Sequence, residues 1–189
     1  MRLQIRSLLV LLLLVVPLAP ALANKYDDTI RIFRNAGESA SFFGESYGYA
    51  VFPTIGKGGI GIGGAYGKGR VYKHGMYVGD ASVAQVSVGF QLGGQAYSQI
   101  VFFKDKRAFD EFTSGSFEFG AEASAVAITA GANAGASTAG TSAGASGGRH
   151  DATTVGKWYK GMAVFTVAKG GLMYEASIGG QRFKYTPKR

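Results

Sequence analysis

The chain has 189 residues, no cysteine, 30 glycines and a formal net charge of +8. The lack of cysteine excludes disulfides and thiolate metal sites, so stability must come from packing and backbone hydrogen bonds. Aromatic residues make up 13% of the chain, which excludes a disordered glycine-rich chain, since such chains lack the apolar surface to fold.

The first residues read as an export signal. Arg2 and Arg6 precede the apolar run Leu8 to Val16, followed by Pro17, Pro20 and the small-residue pattern Ala21-Leu22-Ala23. A membrane-spanning helix needs about 20 apolar residues, and proline breaks this run far short of that. The expected organisation is a cleavable signal at 1–23 and one domain at 24–189, exported to a periplasmic or extracellular space. A basic exported chain meets little nucleic acid but many anionic headgroups, so anionic membrane lipid is the expected partner, with a peripheral place on the membrane.

From Asp27 to Phe43 the apolar residues Ile30, Phe33, Ala36, Ala40 and Phe43 recur at spacings of three and four. This pattern predicts an amphipathic helical segment, broken near Gly37. Its apolar face has two readings: capping the core, or lying on a membrane with Phe33, Phe42 and Phe43 inserted. Strand texture follows. Tyr49 to Phe52 should end at Pro53, Ile60 and Ile62 alternate with glycine, and Val71 to Tyr77 forms a further strand. Between Ala84 and Leu92, Val86, Val88, Phe90 and Leu92 face one way and Gln85, Ser87, Gly89 and Gln91 the other, a half-buried antiparallel strand. Ile100 to Phe103 is another strand, and Asp105 then opens a short helix with Ala108, Phe109 and Phe112 on one face.

Residues 120–148 are mostly alanine and glycine. Strict alternation of Ala121, Ala123, Ala125 and Ala127 predicts a strand of small side chains, and 135–148 a mobile loop. Met162 to Val167 and Leu172 to Ile178 are strands, and Gly179-Gly180 turns the latter into Gln181 to Tyr185. Ala50-Val51-Phe52 with Lys57-Gly58-Gly59 is echoed by Ala163-Val164-Phe165 with Lys169-Gly170-Gly171, which predicts two similar β units in one sheet. The expected fold class is α+β: β-rich, mostly antiparallel sheets, with a short N-terminal helical segment and one short helix near 105–113.

Motifs for catalysis and cofactors fail on context. Gly59-Ile60-Gly61-Ile62-Gly63-Gly64 fits a dinucleotide pattern, but more strand follows where a helix should hold the pyrophosphate. Ser146, with His150 and Asp151 behind it, sits in low-complexity sequence rather than at a strained strand-to-helix turn. His74 and His150 are the only histidines and have no ligand-spaced partner, and Glu118 and Glu122 do not define an acid/base pair across a cleft. No enzyme, metal or cofactor is therefore expected. What remains is a set of cations interleaved with aromatics: Lys57, Lys68, Arg70 and Lys73, then Lys157, Trp158 and Lys160, then Arg182 and Lys184. Converging, they would bind headgroup phosphates; scattered, they would form an ordinary solvated face.

In order along the chain, these stretches resemble the SYLF domain family, a lipid-binding module also described as an actin regulator. The resemblance rests on Gly48 to Pro53, Lys57-Gly58-Gly59 through Gly69, Gly89 to Gln95, Phe102 to Phe112, Phe119 to Ser124 and Lys160 to Phe165 through Gly180. It implies association with phosphoinositides or other anionic lipids, aided by an amphipathic N-terminal segment, and actin binding in eukaryotic members. The export signal and lack of a second module depart from those members. The alternative reading is a structural or protein-binding module of the cell envelope.

Overall fold

A computed structural model describes residues 21–60, 62–88, 95–120, 123, 125–128, 158–169 and 178–189. Helix α1 spans Ala21–Asn35, followed by the single turns α2 (Gly37–Ala40) and α3 (Phe42–Glu45). The helical segment expected from Asp27 thus starts earlier and breaks at Ala36, beside the expected Gly37. Strands β1 (Gly48–Ile60), β2 (Ile62–Lys73), β3 (Met76–Val88) and β4 (Gln95–Phe103) follow. Helix α4 is Lys106–Thr113, and then come β5 (Ser116–Glu118), β6 (Val126–Ile128), β7 (Met162–Lys169) and β8 (Arg182–Pro187). The strands form one sheet in the order β5-β8-β3-β2-β1-β4-β7-β6. Every pairing is antiparallel except β6 with β7. The fold is α+β and β-rich, as the sequence patterning predicts.

Several strand boundaries differ from the expected ones for identifiable reasons. Strand β1 does not end at Pro53, because a bulge between Val51 and Thr54 absorbs the residue that cannot donate to the ladder. The expected strand from Val71 to Tyr77 is instead the two sides of a hairpin. Lys73 pairs with Met76 across His74-Gly75, both at positive φ (48° and 78°), as a two-residue turn of matching twist requires. In β3 the buried set is Ala81 and Val83, while Val86 points outward. The echoed units, β1 and β7, do share the sheet, one on each side of β4. The expected strand at 172–178 and most of the alanine/glycine stretch lie outside the described residues, as does the expected signal up to residue 20; Val126–Ile128 is the part described as strand.

The sheet is strongly curled, and a buried polar contact measures how much. Gln99 on β4 and Gln181 just before β8 belong to strands four positions apart, roughly 19 Å if the sheet were flat. Their side-chain amides nevertheless bond reciprocally at 2.9 and 3.1 Å, and Gln181 Nε2 also donates to the Tyr97 hydroxyl at 3.0 Å. The concave face so enclosed is filled by Phe52, Ile55, Val71, Val83, Val101, Phe103 and Phe183. Helix α4 plugs one end with Ala108, Phe109 and Phe112, its N-terminus capped by Asp105 accepting from Ala108 N at 2.9 Å. Close packing here needs glycine: a Cβ on Gly69 would stand 2.5 Å from Cδ1 of Phe52.

The convex face carries a second apolar layer under the N-terminal helices. Tyr26, Phe33 and Phe42 pack on Tyr49, Val51, Tyr72, Ile100, Phe102 and Phe165. Tyr26, Ile30 and Phe33 fall at the spacing that lines one stripe of a helix, which is why α1 lies flat on the strands. Ser39 fixes the break after α1 by donating to the Phe33 carbonyl at 2.6 Å.

Candidate functional site

The helices cover only part of the convex face. Strand alternation sends Tyr66, Lys68 and Arg70 of β2 outward between buried Ala65, Gly67, Gly69 and Val71. In β8, Arg182 and Lys184 point outward on either side of buried Phe183. Register aligns Thr54, Lys68, Ser82, Lys184 and Ser116 in one row across β1, β2, β3, β8 and β5. Directly opposed residues share a face, so Lys68 and Lys184 flank the Ser82 hydroxyl, about 10 Å apart at Cα. Lys169 joins from β7 by donating to Thr54 Oγ1 at 2.9 Å. Arg182 is held by Glu118 through a 2.8 Å bond from Nε, an exposed pair of small energetic weight.

Two apolar side chains lie beside these cations. Tyr66 is 56% exposed and Val86 77% exposed. Large apolar groups left on an open sheet face beside lysines suit a surface with charged headgroups over hydrocarbon. The geometry therefore yields a positive patch on the convex face of Lys68, Lys184 and Arg182, with Lys169 at its margin through Thr54 and Tyr66 and Val86 among them.

The remaining expected site residues are elsewhere, which corrects the expectation of a single converging set. Arg70 is on the convex face but engaged: its guanidinium lies 4.3 Å from the Tyr26 ring centroid and 4.9 Å from that of Tyr77. It clamps α1 to the sheet. Burial raises the Tyr26 hydroxyl above its ordinary pKa, against the opposing pull of the Arg70 charge. Lys57 shares the concave side with Ala65, its register partner, at the far end of the strands. Lys73 sits at the opposite end, with Nζ 5.3 Å from the Tyr47 ring centroid. Trp158 packs on Phe42 at 4.9 Å and donates to Glu45 Oε2 at 3.4 Å, and Lys160 occupies the turn before β7. Lys157, Ser146, His150 and Glu122 lie outside the described residues.

The insertion reading of Phe33, Phe42 and Phe43 is also corrected by the packing. Phe33 is fully buried, and Phe42 contacts Phe102, Phe165 and Trp158. Phe43 stands edge-on to Tyr49 and Phe102 under the Arg34 guanidinium. The helical stripe caps the core. Sequence reasoning missed Lys169, Tyr66 and Ser82; the alternation Ala65-Tyr66-Gly67-Lys68-Gly69 was the available signal for Tyr66, whereas Lys169 requires the register.

A single curled sheet with an aromatic core on each face and an exposed basic patch defines a β-rich α+β domain. The chain belongs to the Ysc84, or SYLF, family, described as Las17-binding protein actin regulator, which matches residues 84–186. It is also similar to Beta cell expansion factor A of Aeromonas veronii, with 26% identity over 163 residues, 82% of this chain and 51% of that protein. The chain thus spans about half the length of that relative.

Proposed function

We propose that this protein is an exported, non-enzymatic domain that binds anionic phospholipid headgroups, phosphoinositide-like in their charge, at a membrane surface. The patch formed by Lys68, Lys169, Lys184 and Arg182 is the contact. The observation that carries the reading is the row Thr54-Lys68-Ser82-Lys184, which sets two exposed lysines on both sides of a hydroxyl on one sheet face. Each lysine near an anionic surface contributes about 1 kcal/mol, so three or four on the same face give usable affinity. Neighbouring Tyr66 adds a ring suited to the headgroup level. Sedimentation of the protein with vesicles of phosphatidylglycerol and phosphatidylcholine tests this. Binding that rises with the anionic fraction supports it, and equal binding to pure phosphatidylcholine contradicts the electrostatic contact.

A second reading, a protein-binding module of the envelope, is favoured by the family's description as a Las17-binding actin regulator and by the exposed Val86. Saturable binding to a filament or envelope protein in the absence of lipid, abolished by Val86→Glu, would select it.

A further inference from the structure

We propose that the end of the sheet formed by the β2–β3 hairpin and the turn entering β7 is a second membrane-contact surface, so that one molecule bridges two anionic membranes. The inference rests on the headgroup-binding function proposed above.

Two tight turns make this rim. His74-Gly75 joins β2 to β3, and Lys160-Gly161 joins Tyr159 to Met162; all four residues have positive φ, at 48°, 78°, 50° and 81°. That is the two-residue hairpin geometry, which pushes its flanking side chains to the tip. Both turns lie at one end of the sheet, because Met76, Lys73, Gly48, Phe103 and Met162 form a single cross-strand row. The tips are about four strand spacings apart along the curled sheet, at most roughly 19 Å. Lys104 N bonds the Gly161 carbonyl at 2.8 Å and Arg107 bonds the Lys160 carbonyl at 3.0 Å, so the second turn is braced by the chain leading into α4 and by α4 itself. Met76 is 66% exposed on the first tip and Tyr159 45% exposed on the second. Lys73 and Lys104 stand beside them. An apolar side chain at each tip with a lysine beside it, Asp105 also standing near the second, fits insertion at the headgroup boundary.

One flat membrane cannot meet both surfaces. Lys68 is five residues from Lys73 along β2, about 17 Å, and Tyr66 is about 24 Å away. A plane resting on the rim leaves the patch beyond the ~8 Å screening length of physiological salt. Tilting toward the patch is blocked by α1 to α3, which stand on the convex face next to the rim with a helix diameter of about 10 Å. Simultaneous use of both surfaces therefore requires two membranes.

The test combines sedimentation with light scattering on vesicles of phosphatidylglycerol and phosphatidylcholine. Wild-type protein should sediment with vesicles and cluster them. A Met76→Ser/Tyr159→Ser variant with an unchanged melting transition should still sediment but cluster at least tenfold more slowly, whereas Lys68→Gln/Lys184→Gln, which strips the headgroup patch itself, should both sediment less and cluster more slowly. Trp158, the single tryptophan of the chain, lies next to Tyr159, so its emission should move to shorter wavelength in the clustered sample. Sedimentation of wild type without clustering overturns the bridging inference and leaves headgroup binding standing. Wild-type clustering rates in both variants would place the bridging in self-association and also overturn it. No sedimentation at all ends both proposals.

Discussion

Replacing Lys68, Lys169 and Lys184 together by glutamine removes three charges from the open patch without touching either core. All three side chains are exposed, and among the described residues Lys169 makes one exposed hydrogen bond, to Thr54, so the melting transition should stay within the range of ordinary surface substitutions, about ±0.5 kcal/mol. At about 1 kcal/mol per lysine near an anionic surface, the loss is about 3 kcal/mol, a weakening of about a hundredfold in vesicle affinity at low salt. The rim described above would supply only the weaker residual binding. Vesicle sedimentation across a lipid titration measures the change directly. A triple variant that folds normally and binds within about twofold of wild type would refute the assignment of the patch, since a twofold change is far smaller than the loss of three lysine contacts at about 1 kcal/mol each.

Other perturbations test the fold that presents the patch. Thr166 is fully buried on the concave face and its hydroxyl has no hydrogen-bond partner among the described residues, so Thr166→Val should raise stability by about 1 kcal/mol in a denaturant titration. Phe33→Ala should cost about 3 to 5 kcal/mol in the same assay, because its ring fills the layer between α1 and the strands; a cost below 1 kcal/mol would show that α1 does not dock. Burial pushes the Tyr97 hydroxyl up to about 12 from 10, with the hydrogen bond from Gln181 opposing. Its neutral form is the one the fold favours, so its contribution is intact below pH 10 and is lost as pH rises from about 10 to 12. Alkaline unfolding in that window, with Tyr97 the last of the described tyrosines to ionise in a near-ultraviolet titration, is the expected result.

The fold class was legible because alternation and helical spacing act locally. Asp105 as a cap, the break after α1 and the strand character of β4 and β7 all follow from a few neighbouring residues. Pro53 misled because a bulge is a tertiary accommodation: the strand could continue only because both β2 and β4 pair with it. Val86 misled for a different reason. Its alternation with Gln85 was real, but which face is buried depends on the curl that turns Val83 inward and leaves Val86 outside. The site was partly legible. Lys68, Arg182 and Lys184 converge, yet no spacing rule could bring Lys169 to Thr54 or send Lys57 and Lys73 to opposite ends, since those placements come from register. Arg70 could be recognised as a cation near aromatics, but its partners Tyr26 and Tyr77 assign it to holding a helix.

Binding of the protein to vesicles of equal size, one set rich in phosphatidylglycerol and one of pure phosphatidylcholine, followed as salt rises from low to high concentration, tests the function most directly. Headgroup recognition by the lysine row predicts tight association with the anionic set that collapses as screening shortens, and little with the neutral set. Retention on both sets at high salt would contradict it.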